Sequence, residues 1–114
     1  MTAPKVLVVG WDGATWDVLE PLLAEGKLPA LADLRKRGIW TLLLSTRPSV
    51  TAPAWSTFMT GLMPSRHGLL SWQMPLMQEG NRRWINANDL AAPTLWRRLS
   101  EGGCRVCVVN LPLT

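Results

Sequence analysis

Apolar residues along the chain fall into two kinds of run. Lys5-Val6-Leu7-Val8-Val9-Gly10 is continuous and rich in β-branched side chains, as is Arg105-Val106-Cys107-Val108-Val109-Asn110, and Ile39 to Ser45 is a third such stretch. Short unbroken runs of this type predict strands buried on both faces, as in a parallel sheet. Between them the spacing changes. Trp16, Leu19, Leu22 and Leu23 recur at helical intervals from Ala14 to Glu25, with Gly26 as a C-cap and Pro21 as a potential break. Pro29 opens a second helix that turns Leu31 and Leu34 inward, carries Arg35-Lys36-Arg37 at its end and stops at Gly38.

Trp55, Phe58 and Met59 mark a short helix from Pro53 to Thr60, closed by Gly61, and Leu95, Trp96 and Leu99 mark another from Pro93 to Glu101, closed by Gly102-Gly103. Residues 62 to 92 hold no clean period and read as loops with a short hairpin. Strand, helix, strand, helix, strand in that order predicts an α/β layered fold with a mainly parallel central sheet. A crossover helix would be expected after the third strand, which predicts that residues 1–114 are the N-terminal part of a larger domain.

At 114 residues the chain has room for one domain, and 47% hydrophobic against 18% charged residues excludes wholesale disorder. Seven tryptophans, one phenylalanine and no tyrosine concentrate packing in a few large side chains, each with an N–H to satisfy. The net charge of +4 comes from scattered Lys and Arg with no run longer than three, so the chain is not a polybasic tail. Its mild basicity suits a phosphate-bearing substrate, and nothing marks the arginines as a nucleic-acid surface with stacking aromatics. No apolar run approaches the roughly 18 residues of a membrane span. Met1-Thr2-Ala3-Pro4-Lys5 does not lead into a signal-peptide core, so a cytoplasmic location is expected. Cys104 and Cys107, set in an apolar run, read as buried structural cysteines, because a spacing of three sends them to opposite faces of a strand.

Two places hold candidate chemistry. Asp12 follows the first strand, and ligands of open α/β sheets bind at the carboxyl ends of strands. A carboxylate there is a candidate ligand for a divalent cation, or else a turn aspartate. Thr51, in Ser49-Val50-Thr51-Ala52-Pro53, falls just ahead of the third helix, where backbone N–H groups and the positive dipole end favour phosphate. A hydroxyl at that point is a candidate nucleophile, or else an N-cap. His67 is the only histidine and reads as a structural hydrogen-bonding residue. Neither G-x-G-x-x-G, a P-loop nor G-x-S-x-G occurs, which disfavours those nucleotide-binding and hydrolase routes.

Four segments occur together in order: Val8-Val9-Gly10-Trp11-Asp12-Gly13, Gly26-Lys27-Leu28-Pro29, Pro48-Ser49-Val50-Thr51-Ala52-Pro53-Ala54-Trp55-Ser56-Thr57 through Gly61, and Pro64-Ser65-Arg66-His67-Gly68. Together they resemble the opening of the alkaline phosphatase superfamily, nearest to its type I phosphodiesterase/nucleotide pyrophosphatase branch and the related predicted phosphohydrolases and phosphomutases. The resemblance covers most of the chain and is weakest from about 70 to 90. It implies an alkaline-phosphatase-like layered fold and two divalent metals, zinc by family habit with manganese as the other choice. It implies Asp12 as a metal ligand, Thr51 as nucleophile and second ligand, a covalent phospho-enzyme, and a small phosphorylated substrate.

Two departures shape that expectation. Nucleotide pyrophosphatases of the family carry an asparagine where this chain has Ala54, which argues against nucleotide diester cleavage. The family's remaining ligands come from later in the chain, whereas only Glu79, Asp89, Glu101 and His67 follow Thr51 here. The expected protein is therefore an N-terminal fragment of a phosphoryl-transfer enzyme, inactive alone and prone to self-association through exposed sheet surface. A non-catalytic α/β binding module, with Asp12 as turn and Thr51 as cap, is the alternative.

Overall fold

A computed structural model describes residues 5–75 and 80–114. They form two compact units, one within residues 5–43 and one within residues 44–114. The first contains α1 (Trp16–Ala24) and α2 (Pro29–Arg37). Trp16, Leu19, Leu22 and Leu23 are the half-buried stripe of α1, as their spacing predicts. Pro21 is inside the helix but within its second turn, so it does not end it. Gly26, at φ +71°, closes α1 with backbone bonds from Gly26 N–H to Leu23 and from Lys27 N–H to Leu22. In α2 the expected inward Leu34 is 60% exposed. Arg35 is the residue that packs: its guanidinium lies 3.7 Å over Trp40 and 5.4 Å over Trp16, and Nη1 donates to Glu20 at 2.7 Å. Planar stacking plus a carboxylate partner lets an arginine take a position that a leucine's spacing claims.

The second unit contains α3 (Thr51–Thr60), α4 (Pro64–His67), β1 (Gln73–Pro75), β2 (Arg82–Trp84), a 3₁₀ turn (Ala87–Asp89) and α5 (Leu95–Glu101). Its core joins Ala52 of α3 to Leu69 and Ile85, flanked by Trp72, Met74, Leu90 and Leu113. The strands pair antiparallel with Met74 opposite Arg83, giving the hairpin expected between 62 and 92. Its connection includes residues 76–79, so Glu79 lies outside the described residues, as do residues 1–4 of the expected non-signal N-terminus.

The expected parallel central sheet is not seen among the described residues. Among the described residues this two-stranded antiparallel sheet is the whole of the β-structure. Residues 5–10, 39–45 and 105–110, each expected as a buried strand, have no strand assignment. Leu7 is 87% exposed and Leu43 92%. Their composition favours an extended chain, but a strand buried on both faces exists only when neighbours supply its hydrogen bonds and cover it. The same cause corrects the cysteines, since Cys104 and Cys107 are exposed free thiols. No helix among the described residues is long and apolar enough to cross a membrane.

Candidate active site

The second unit builds its candidate site on α3. This helix starts two residues earlier than its proline suggests. Val50 is the N-cap, with extended φ −119° and ψ 147° and no side-chain cap bond, so Thr51 is the first helical residue. Pro53 sits in the first turn, where a missing N–H removes no helical bond. The chain enters after a buried Thr46, whose hydroxyl donates to the Pro48 carbonyl at 2.9 Å.

Helical geometry decides what faces where. Ala52, Pro53, Ser56 and Met59 are buried and form one face of α3. At 100° per residue, Thr51 falls instead on the stripe shared with Trp55 and Phe58. Those two rings meet edge to face at 5.6 Å, and Phe58 is exposed. Thr51 is half-buried at the helix end. Its hydroxyl thus lies where the N-terminal dipole is positive, off the face that packs into the core.

His67 braces the opposite side. It is fully buried at the C-terminal end of α4. Gly68 follows in the left-handed region at φ +84°, which turns the chain so that the Leu69 N–H reaches back to the ring at Nδ1, 3.2 Å away. Nδ1 is therefore the acceptor and Nε2 carries the proton. Nε2 lies 3.0 Å from Thr57 Oγ1, and the Pro53 carbonyl also accepts from the ring. Burial pushes the imidazole pKa below its usual value, against the smaller raising effect of the Pro53 carbonyl. The structural hydrogen-bonding reading of His67 agrees with this geometry. Sequence reasoning missed Thr57, whose one signal is that it shares a helical face with Pro53 at i, i+4.

Asp12 belongs to the first unit, exposed in a turn whose next residue, Gly13, has φ +70°. Thr15, not Asp12, is the N-cap of α1. The later carboxylates are engaged elsewhere. Asp89 forms a bidentate pair with Arg83 and accepts from the Asn86 N–H at 2.8 Å, and Glu101 accepts from Arg97 Nε at 3.0 Å. Among the described residues no three His, Cys, Asp or Glu side chains come together as a metal-binding group. By themselves the described donors do not complete a metal centre.

Known proteins place this geometry in context. Residues 6–113 match the family "Type I phosphodiesterase / nucleotide pyrophosphatase". No curated protein and no solved structure matches the chain. That family carries out phosphodiesterase- and pyrophosphatase-type phosphoryl transfer and is generally metal-dependent. A match running over nearly every residue, including the Thr51 helix and the His67 turn, makes the chain a member of the type I phosphodiesterase/nucleotide pyrophosphatase family.

Proposed function

We propose that the chain is the N-terminal portion of a metal-dependent phosphoryl-transfer enzyme acting on a small phosphorylated substrate, with Thr51 as nucleophile. The observation that carries this reading is the place of Thr51 within a family match that spans residues 6–113. Thr51 is the first residue of α3, at the positive end of the helix, and Val50 is the N-cap. The binding-module alternative keeps half its support: Asp12 does sit in a turn, but Thr51 does not occupy the N-cap.

In the proposed reaction Thr51 Oγ attacks phosphorus and forms a Thr–O–P bond as the bond to the leaving alcohol breaks. The hydroxyl proton leaves with that alcohol by way of solvent. Water, or an acceptor hydroxyl in a phosphomutase, then displaces Thr51 from phosphorus. The positive end of α3 favours the phosphoryl oxygens throughout. Asp12 and Thr51 are the proposed metal ligands from this chain, for two divalent ions of which zinc is the first choice and manganese the second. Bound metals would lower the pKa of the hydroxyl and stabilise charge on oxygen. The other ligands are proposed to come from later sequence, as the family resemblance implies. A cytoplasmic setting belongs to the same proposal.

Hydrolysis of bis(p-nitrophenyl) phosphate with zinc or manganese tests the reading. The 114-residue chain should show no turnover, and the enzyme that includes it should lose at least ~10³-fold in kcat on Thr51→Ala. Asp12→Asn should weaken metal binding in a direct titration. Full activity in Thr51→Ala would overturn the nucleophile assignment.

A further inference from the structure

We propose that His67 is a positioning residue for Thr51: by gripping Pro53 and Thr57 from α4, it sets the rotation of α3 about its own axis. This inference rests on Thr51 being the nucleophile. Its own support is independent of that assignment and lies in how few ways the imidazole can be arranged.

The ring touches α3 at two points one turn apart, the Pro53 carbonyl and Thr57 Oγ1. Those points share a face by the i, i+4 rule, on the side of the helix away from Thr51. The ring is itself held from behind. The Leu69 N–H bonds Nδ1, and the His67 carbonyl accepts from the Ala91 N–H at 3.3 Å. Leu69 packs in turn against Ala52, the neighbour of Thr51. α3 is therefore fixed at three places around its circumference: Ala52 by the core, and Pro53 and Thr57 by one buried ring.

Apolar packing at Ala52, Pro53 and Met59 resists translation into the core but tolerates rolling, because dispersion contacts are non-directional. A hydrogen bond from a locked tautomer is directional and opposes rolling. A roll of roughly 15° would carry a hydroxyl several ångströms off the helix axis by on the order of 1 Å. Displacement of that size at a reacting atom costs about 10²-fold in rate. Sequence reading gives His67 a local structural duty, and the geometry extends it to the direction in which the candidate nucleophile points.

The test uses the enzyme that contains this chain, with bis(p-nitrophenyl) phosphate as substrate. Thr57→Val removes the ring's hydroxyl partner at nearly constant volume, and His67→Leu removes the ring's polar atoms. Each should lower kcat about 10- to 100-fold with KM within about two-fold. The double variant should be no worse than His67→Leu alone, because both act through one contact. His67→Gln, whose amide N–H can reach Thr57, should recover part of the loss. Long-range ¹H–¹⁵N spectra of the imidazole should show Nε2 protonated and Nδ1 bare.

If His67→Leu does not fold, Thr57→Val and the tautomer spectra still decide the matter. Unchanged kcat in Thr57→Val, additive losses in the double variant, or a proton on Nδ1 would each overturn the proposal. Activity surviving in Thr51→Ala would instead overturn the nucleophile reading, and it leaves the tautomer and the Thr57 contact as separate results.

Discussion

The carboxyl of Asp89 titrates at about 2, below its ordinary 3.8, because Arg83 bonds it and the Asn86 N–H donates to it. The folded protein therefore binds this proton less readily than the unfolded chain. The resulting stabilisation is complete above the unfolded value near 4 and is lost as pH falls from there through about 2. Thermal melting followed from pH 5 to pH 2 should show that loss, and Asp89→Asn should flatten the profile within this window. An equally steep profile in the variant would assign acid sensitivity to other groups. At the same scale, sequence reading took Asp89 only as one of the few carboxylates after Thr51. Its real partner, Arg83, reaches it because a 3₁₀ turn with an Asn86–Asp89 capping box folds the segment back. The six-residue spacing does not announce that pairing.

Among the elements, α1, α2, α3, α5 and the short hairpin were legible, whereas α4 fell in a stretch read as loop and the three apolar runs form no strand among the described residues. Pro29 and Gly61 set helix ends through their own backbone preferences: α2 starts at Pro29 and α3 closes at Gly61. The left-handed cap at Gly61, φ +70°, is the clearest case. Strands depend on distant partners, so the apolar runs at 5–10, 39–45 and 105–110 announced extended chain without announcing a sheet. Of the candidate site, the helix carrying Thr51 was readable from Pro53 and Gly61. Its start at Thr51, and the grip of His67 on Thr57, were not, because both depend on tertiary contacts. One position in α3 contradicts simple packing logic. Ser56 is fully buried, and its Oγ has no hydrogen-bond partner among the described residues. A buried hydroxyl left unpaired costs about 1–3 kcal/mol. Ser56→Ala should raise stability by about 1 kcal/mol in urea unfolding, where most core substitutions lower it. Destabilisation by more than that amount would show that the hydroxyl is satisfied in solution.

Over the whole molecule, the exposed apolar runs matter most. Extended segments with large bare side chains, such as Leu7 and Leu43, are templates for pairing with another chain. The isolated 114-residue chain should accordingly self-associate as its concentration rises, which sedimentation or light scattering would detect. Placing a charge in each of two runs, Val8→Lys with Leu43→Lys, should shift it toward monomer. A monomer at high concentration without these changes would remove the expectation.

The two thiols give such association a chemical afterlife. Cys104 and Cys107 are solvent-accessible and unbridged within one chain. Molecules that meet through their sticky segments bring sulfhydryls together, and air oxidation would weld a reversible encounter into a covalent one. Samples stored without reductant should therefore run as a ladder on a non-reducing gel and collapse to one band with dithiothreitol.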